Sequence, residues 1–231
     1  MALPQLNTAK YTTMVPSLKR EVSFRPYLVK EEKVLMMAME TQDQKSIMRA
    51  VKEVIKSCVF DNIDIDKLAM FDIEALFLAL RSKSVGENVA IKLKCECEEL
   101  TEVNINLDEI QINDIEKDNV IPLTSEVGVT MRYPALSDIE NIDAEGGIDS
   151  MMDMIIQCMD SIYDTDAVHD VSNESKESVQ SFLDSLNGEQ FKKLAEFFEE
   201  LPSLNYNAEW DCVGCKKHNT MELKGIASFF T

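Results

Sequence analysis

The chain has 231 residues, 45% of them hydrophobic, and its 42 acidic against 23 basic residues give a formal net charge of −19. This length allows one large domain or two small ones, each with a sizeable apolar core. The acidic field repels phosphate backbones and anionic membranes, so neither nucleic acid nor a membrane is expected as a partner. The charge serves either solubility alone or attraction to a basic protein partner.

No apolar run is long enough to span a bilayer, and the first residues lack a signal-peptide pattern. We therefore expect an intracellular chain with reduced cysteines.

Residues 1–27 are predicted to form an extended arm, because three prolines punctuate two short alternating segments that are typical of a hairpin. Residues 28–87 are predicted to be helical, since their apolar positions recur at helical spacing. Asp43 is the expected N-cap of the second helix in this region.

Residues 88–135 alternate apolar and polar side chains, which predicts a first hairpin followed by connecting strands. Helical patterns return over residues 136–203, including a predicted helix over 148–163. Residues 204–231 are expected to form a last hairpin and a tail in which Phe229 and Phe230 need burial. The predicted fold is α+β and mostly helical, with an N-terminal β-hairpin arm and two further hairpins joined by a zinc-knuckle-like site.

Two cysteine pairs carry the site prediction: Cys95 and Cys97 lie between the predicted strands of the first hairpin, and Cys212 and Cys215 between those of the last. A structural zinc knuckle needs two thiolates from one tight turn and two from a turn that faces it. The four cysteines are therefore predicted to hold one structural Zn²⁺, with Lys94, Lys216 and Lys217 placed to offset the negative charge of the thiolates.

Alternatives to the zinc site stay open at this point. The thiols could be small buried residues of two unrelated hairpins, or form a disulfide or an iron–sulfur centre. His218, which follows Cys215 closely, could replace one thiol of the first pair. Cys58 and Cys158 stand alone in helical patterns and are expected in the core.

Catalytic patterns are scarce in this sequence. It contains two histidines, and neither belongs to a metal-binding H-x-x-x-H pair or to a nucleophile motif. No glycine-rich motif that cradles a nucleotide phosphate is present. We therefore predict that the protein is not an enzyme.

Several ordered motifs across nearly the whole chain resemble the baseplate protein family of T-even-type (T4-like) contractile-tail bacteriophages. The C-terminal Cys-x-x-Cys followed by Glu-Leu-x-Gly-Ile-x-x-Phe-Phe is similar to the ending of that family. The other motifs are Val15-Pro-Ser-Leu-Lys, Phe24-Arg-Pro-Tyr-Leu-Val-Lys-Glu-Glu-Lys-Val-Leu, Phe71-Asp-Ile-Glu-Ala-Leu-Phe-Leu, Arg81-Ser-Lys-Ser-Val-Gly-Glu and Ser181-Phe-Leu-Asp-Ser-Leu.

The resemblance implies a non-enzymatic tail protein that is a baseplate hub component or a baseplate hub assembly protein. The alternative is a tail assembly chaperone that holds the tape-measure protein and is absent from the mature virion. The implied partners are other hub proteins and the tape-measure protein, in an assembly whose symmetry stays open. The implied locations are the host cytoplasm during assembly and the virion tail baseplate.

Overall fold

The computed structural model describes residues 7–41, 43–113, 119–141, 147–199, 201–225 and 228. It contains 43% helix and 29% strand, the strands being arranged in several small antiparallel sheets. The fold is thus α+β, but the prediction of a mostly helical fold is wrong. Where a zinc knuckle is predicted, the fold shows only a cluster of four cysteine side chains.

The chain divides into two compact units. Unit 1 consists of Met1–Asn113 and Ser203–Thr231, and unit 2 consists of Asp114–Pro202. The boundaries of the five segments that the sequence predicts are not tested by this division and remain predictions.

Unit 1 begins with the antiparallel hairpin of β1 (Tyr11–Val15) and β2 (Arg20–Phe24), which is followed by three helices. These are α1 (Val29–Glu40), α2 (Gln44–Cys58) and α3 (Met70–Ser84). Asp43 caps α2 as predicted, since its carboxylate accepts a hydrogen bond from the Ser46 amide at 2.9 Å. Phe24, Ile55 and Phe77 are fully buried in the core that β2, α2 and α3 share.

The rest of unit 1 is built from two long hairpins and one short strand. β3 (Asn88–Lys94) pairs with β4 (Leu100–Asn106), while β10 (Ser203–Asp211) pairs with β11 (His218–Lys224) on one edge and β5 (Gln111–Asn113) on the other. Both hairpins alternate buried and exposed residues, and their buried faces form a second core. Its buried members are Ile91, Leu93, Ile105, Leu107, Ile110, Leu204, Ala208, Trp210 and Leu223.

Unit 2 combines one four-stranded antiparallel sheet with helices. Its elements in chain order are β6 (Val120–Pro122), β7 (Gly128–Met131), α4 (Leu136–Asn141), α5 (Gly147–Cys158), β8 (Met159–Tyr163), β9 (Val168–Asp170), α6 (Lys176–Asp184) and α7 (Gly188–Glu199). The strands are hydrogen-bonded in the order β6-β7-β8-β9. Gly128 faces Tyr163 across the sheet, and a Cβ at Gly128 would lie about 2.1 Å from the Tyr163 hydroxyl oxygen, so glycine lets the Tyr163 ring lie over this position.

One predicted helix accounts for part of the excess helix in the sequence-based prediction. The pattern over 148–163 predicts one helix, but the helix ends at Cys158 and Met159–Tyr163 forms β8. This segment is a strand because its backbone pairs with β7, whose residues are remote in sequence. Residues 1–6 of the predicted arm, and Phe229 and Phe230 of the predicted tail, lie outside the described residues.

Candidate metal centre

The turn of each long hairpin carries one cysteine pair, and the two turns meet. All four Sγ atoms, those of Cys95, Cys97, Cys212 and Cys215, lie within 4.8 Å of one another. Two sulfur pairs join the two turns, with 3.7 Å between Sγ of Cys95 and Cys215 and 3.5 Å between Sγ of Cys97 and Cys212. The fold thus brings together the four side chains that the sequence singled out, from segments about 117 positions apart.

The two turns are closed by equivalent pairs of backbone hydrogen bonds, although the second turn is one residue longer than the first. In the first, the Cys95 amide donates to the Glu99 carbonyl at 2.9 Å and the Glu98 amide donates to the Cys95 carbonyl at 2.8 Å. In the second, the Cys212 amide donates to the Lys217 carbonyl at 2.9 Å, and the Lys216 amide to the Cys212 carbonyl at 3.0 Å. Each turn therefore folds back so that both of its thiols point to one place.

Left-handed backbone occurs at the corresponding residue of each turn, at Glu98 with φ of 70° and at Lys216 with φ of 63°. Gly214 does not have a positive φ, so its role is different. A Cβ at Gly214 would lie 3.3 Å from Cγ of Glu99, and glycine therefore lets the two turns approach closely.

The sulfur positions fit a tetrahedral metal ion. Four thiolates at the usual Zn–S distance of about 2.3 Å place their sulfurs about 3.8 Å apart. The two sulfur pairs that join the turns are slightly closer than this value, and no pair of the four sulfurs exceeds 4.8 Å. Cys95 and Cys212 are buried while Cys97 and Cys215 are exposed, so the cluster lies at the surface of unit 1.

Local hydrogen bonds prepare one thiol for deprotonation. Amide groups of the second turn, first that of Cys215 and then that of Gly214, lower the pKa of Cys212 to about 6 against the cost of burial. The Glu99 amide favours the thiolate of Cys97, but the neighbouring thiols, Cys212 foremost, raise the pKa of Cys97 to about 11. A cluster of thiols therefore shares its first negative charge unequally.

Charged side chains also link or flank the two turns. Lys217 Nζ lies 2.5 Å from a carboxylate oxygen of Glu96 and so bridges the turns, while Lys94 lies 3.7 Å from Glu98. His218 directs Nδ1 to the Asp211 carboxylate at 3.0 Å. Within the described part of the chain, the group of side chains able to hold a metal ion contains the four cysteines and not His218.

The two other cysteines are core residues, as predicted, and they belong to two separate cores. Burial raises the pKa of Cys58 to about 11 and that of Cys158 to about 12, so both remain neutral thiols. Neither side chain belongs to the metal-binding group found among the described residues.

Comparison with known proteins decides the family. A family model described as T4 bacteriophage base plate protein matches residues 8–231. The chain belongs to this family. No curated protein and no solved structure matches this base plate protein significantly.

Membership confirms the resemblance drawn from the sequence motifs. It assigns the base plate protein to the phage tail in a structural role that brings it into contact with other tail proteins. A structural family of this kind also favours the prediction of a non-enzymatic role. Among the described helices, none is both long and apolar enough to cross a membrane.

Proposed function

We propose that this base plate protein is a hub component or hub assembly protein that docks to other proteins of the phage tail, the tape-measure protein among them. The observation that carries the proposal is the family match over residues 8–231, which covers both structural units. The net charge of −19 supports docking to basic partners, because complementary charge speeds and orients protein association. The protein would meet these partners in the host cytoplasm during assembly.

A second candidate is a chaperone that holds the tape-measure protein and leaves before the virion matures. It is favoured by α1, which buries Glu31 and Leu35 but leaves Met36 and Met37 about 60% exposed. Flexible thioether side chains on a helix surface suit adaptable binding of apolar helices.

Mass spectrometry of purified virions tests the proposal against this alternative. A retained hub component is present at a fixed ratio to known hub proteins. Absence from virions, together with co-purification of the tape-measure protein from infected cells, would support the chaperone. A hub assembly protein is also absent from virions, but hub proteins co-purify with it, whereas the chaperone co-purifies with the tape-measure protein without hub proteins.

We further propose that Cys95, Cys97, Cys212 and Cys215 hold one structural Zn²⁺. The support is the mutual distance of the four sulfurs, since an all-thiolate set at this spacing is typical of zinc sites without an open coordination position. The ion would tie the two long hairpins of unit 1 together and supply folding free energy to a surface that docks to partners. An iron–sulfur centre in this position would colour the protein, which absorbance spectroscopy detects directly.

A further inference from the structure

The two units contain the same module, which the sequence did not indicate. Module 1 comprises residues 11–84 and module 2 residues 120–184. Each consists of a β-hairpin, a helical segment that ends at a buried cysteine, an extended segment that pairs back to the hairpin, a 3₁₀ turn and a helix. The pairing back is equivalent: Phe24 bridges Val59 in module 1, and Met131 pairs with Met159 in module 2.

One arginine closes each module with the same set of contacts. The Arg25 amide donates to the Cys58 carbonyl at 3.0 Å, and its guanidinium donates to the Ser57 carbonyl at 3.0 Å and to Glu31 at 2.9 Å. That carboxylate also accepts from the Leu28 amide at 2.8 Å and so caps the start of α1.

In module 2 the Arg132 amide donates to the Cys158 carbonyl at 2.8 Å. Its guanidinium donates to the Gln157 carbonyl at 2.6 Å and to both carboxylate oxygens of Asp138 at 2.6 and 3.1 Å. Asp138 in turn accepts from the Ala135 amide at 2.8 Å, at the start of α4. Arg25 and Arg132 make equivalent hydrogen bonds with equivalent partners, so positions in the two modules can be compared directly.

The comparison singles out one place where the modules differ. Asp64 and Asp170 cap the 3₁₀ turns that precede α3 and α6, and the third residues of these two helices are Asp72 and Ser178. In module 1, Asp72 accepts from the Ser17 amide at 2.8 Å and from the Ser17 hydroxyl at 2.5 Å. The hairpin turn is thereby fixed to the start of the helix.

In module 2 this junction is open. The described residues give no hydrogen bond between Ser178 and the hairpin turn over 123–127. A cavity of about 360 Å³ occupies the space instead, a volume within the range of ligand pockets. Its apolar lining comes from Val127, Ile162, Val179 and Phe182.

Carboxylates line the same cavity. Glu174 is one, and Asp164 is another, with its oxygens held by the Asp166 and Ala167 amides and by the His169 imidazole. These hydrogen bonds, the Asp166 amide first, lower the pKa of Asp164 to about 2, so this carboxylate stays charged.

The two units also differ in net charge. Unit 2 contains 21 acidic and 5 basic residues, a net charge of −16, whereas unit 1 contains 21 acidic and 18 basic residues, a net charge of −3. Nearly all of the excess negative charge of the chain thus lies in the unit that has the open junction.

We propose that the cavity of module 2 binds a lysine or arginine side chain from a basic segment of a partner tail protein. The aliphatic stem of such a side chain matches the apolar lining, and its cationic head matches Glu174 and Asp164. The proposal rests on the docking role given above and names the chemistry of the partner. It does not depend on the cysteine cluster.

The test measures binding of a fluorescein-labelled peptide of alternating lysine and alanine to the full chain by fluorescence anisotropy at about 0.15 M ionic strength, where the Debye length is about 8 Å. Glu174→Gln removes a cavity carboxylate, and Ser178→Phe fills the cavity without changing charge. Glu189→Gln is the matched control, since Glu189 is an exposed residue of unit 2 outside the cavity lining. Circular dichroism spectra show whether each variant is folded.

We expect Glu174→Gln to weaken binding about tenfold, because it removes a charge-assisted contact, and Ser178→Phe to weaken it similarly. Glu189→Gln should change affinity less than about twofold, because an exposed charge outside the cavity lining is largely screened at this ionic strength. Equal weakening by the two glutamine variants would reveal diffuse attraction only and overturn the proposal, as would the absence of binding. If Ser178→Phe does not fold, the comparison of Glu174→Gln with Glu189→Gln still tests the proposal.

This result is distinguishable from failure of the hub proposal. Peptide binding is measured on the isolated protein, whereas the hub proposal depends on virion composition. If the protein binds the peptide through Glu174 but is missing from virions, the cavity proposal stands and the role of a retained hub component is excluded.

Discussion

Replacing Cys212 and Cys215 by serine is the sharpest perturbation of this protein. Serine keeps the approximate size of each side chain but is a poor zinc ligand, so half of the ligand set is lost. We expect the zinc content to fall from one ion per chain to none. The hairpins themselves keep their strand pairing and their shared hydrophobic core, which does not depend on the cysteines.

The size of the stability loss follows from chain topology. Cys95 and Cys212 are 117 positions apart, and in the chain-entropy model a cross-link that closes a loop of this length stabilises the fold by about 5 kcal/mol. This is an upper value, because the shared core still holds the hairpins together after the ion is lost. With about 2–4 °C for each kcal/mol in a chain of this size, we expect the melting temperature to fall by about 10 °C.

The assay combines elemental analysis of the purified protein with calorimetric melting of the parent, the double variant and the chelator-treated parent. The double variant and the chelated parent should melt alike. Cys158→Ala is the control, because it changes a buried thiol in unit 2 and should retain one zinc ion. A parent without metal, or a double variant that melts like the parent, would refute the zinc site.

Three further outcomes follow from the geometry. Arg25→Met should lower the free energy of unfolding, measured by urea denaturation, by about 3 kcal/mol. Arg132→Met should lower it less, because the Arg25 ion pair is the more buried of the two. Equal losses in the two variants would contradict this ranking. NMR titration should place the Asp164 pKa near 2, so its stabilising contribution is complete above the unfolded pKa and is lost as pH falls toward 2. His169→Ala should raise that pKa, and an unchanged value would exclude the imidazole contact. Thiol reagents should modify the four clustered cysteines only after chelation, while the two core thiols remain inert in the folded protein; fast reaction before chelation would argue against bound metal.

The cysteine cluster was predictable because its signal is local. Each cysteine pair occupies a short turn between two alternating segments, and hairpin geometry then directs both thiols of a pair to one side. That the two turns meet was inferred from metal chemistry, since two thiolates alone make an incomplete structural zinc site. The role of Gly214 is harder to predict from the sequence, because it depends on the close approach of Glu99, which belongs to the other turn.

The predicted helical content exceeds that of the structure for a physical reason. Met159–Tyr163 continues the apolar pattern of α5, and its strand state depends on pairing with β7. The repeated module is not predictable from the sequence, because its evidence lies in contacts of Arg25 and Arg132 with carbonyls far along the chain.

By itself, the sequence determined the acidic charge, the α+β class, the cysteine turns and the family likeness, because these depend on composition, local periodicity and short motifs. Only the tertiary structure decided that four sulfurs converge, that one module occurs twice, and that its junction is closed by Asp72 in one unit and open beside Ser178 in the other. These features arise where residues remote in sequence share one volume, and side-chain packing in three dimensions determines which of them meet.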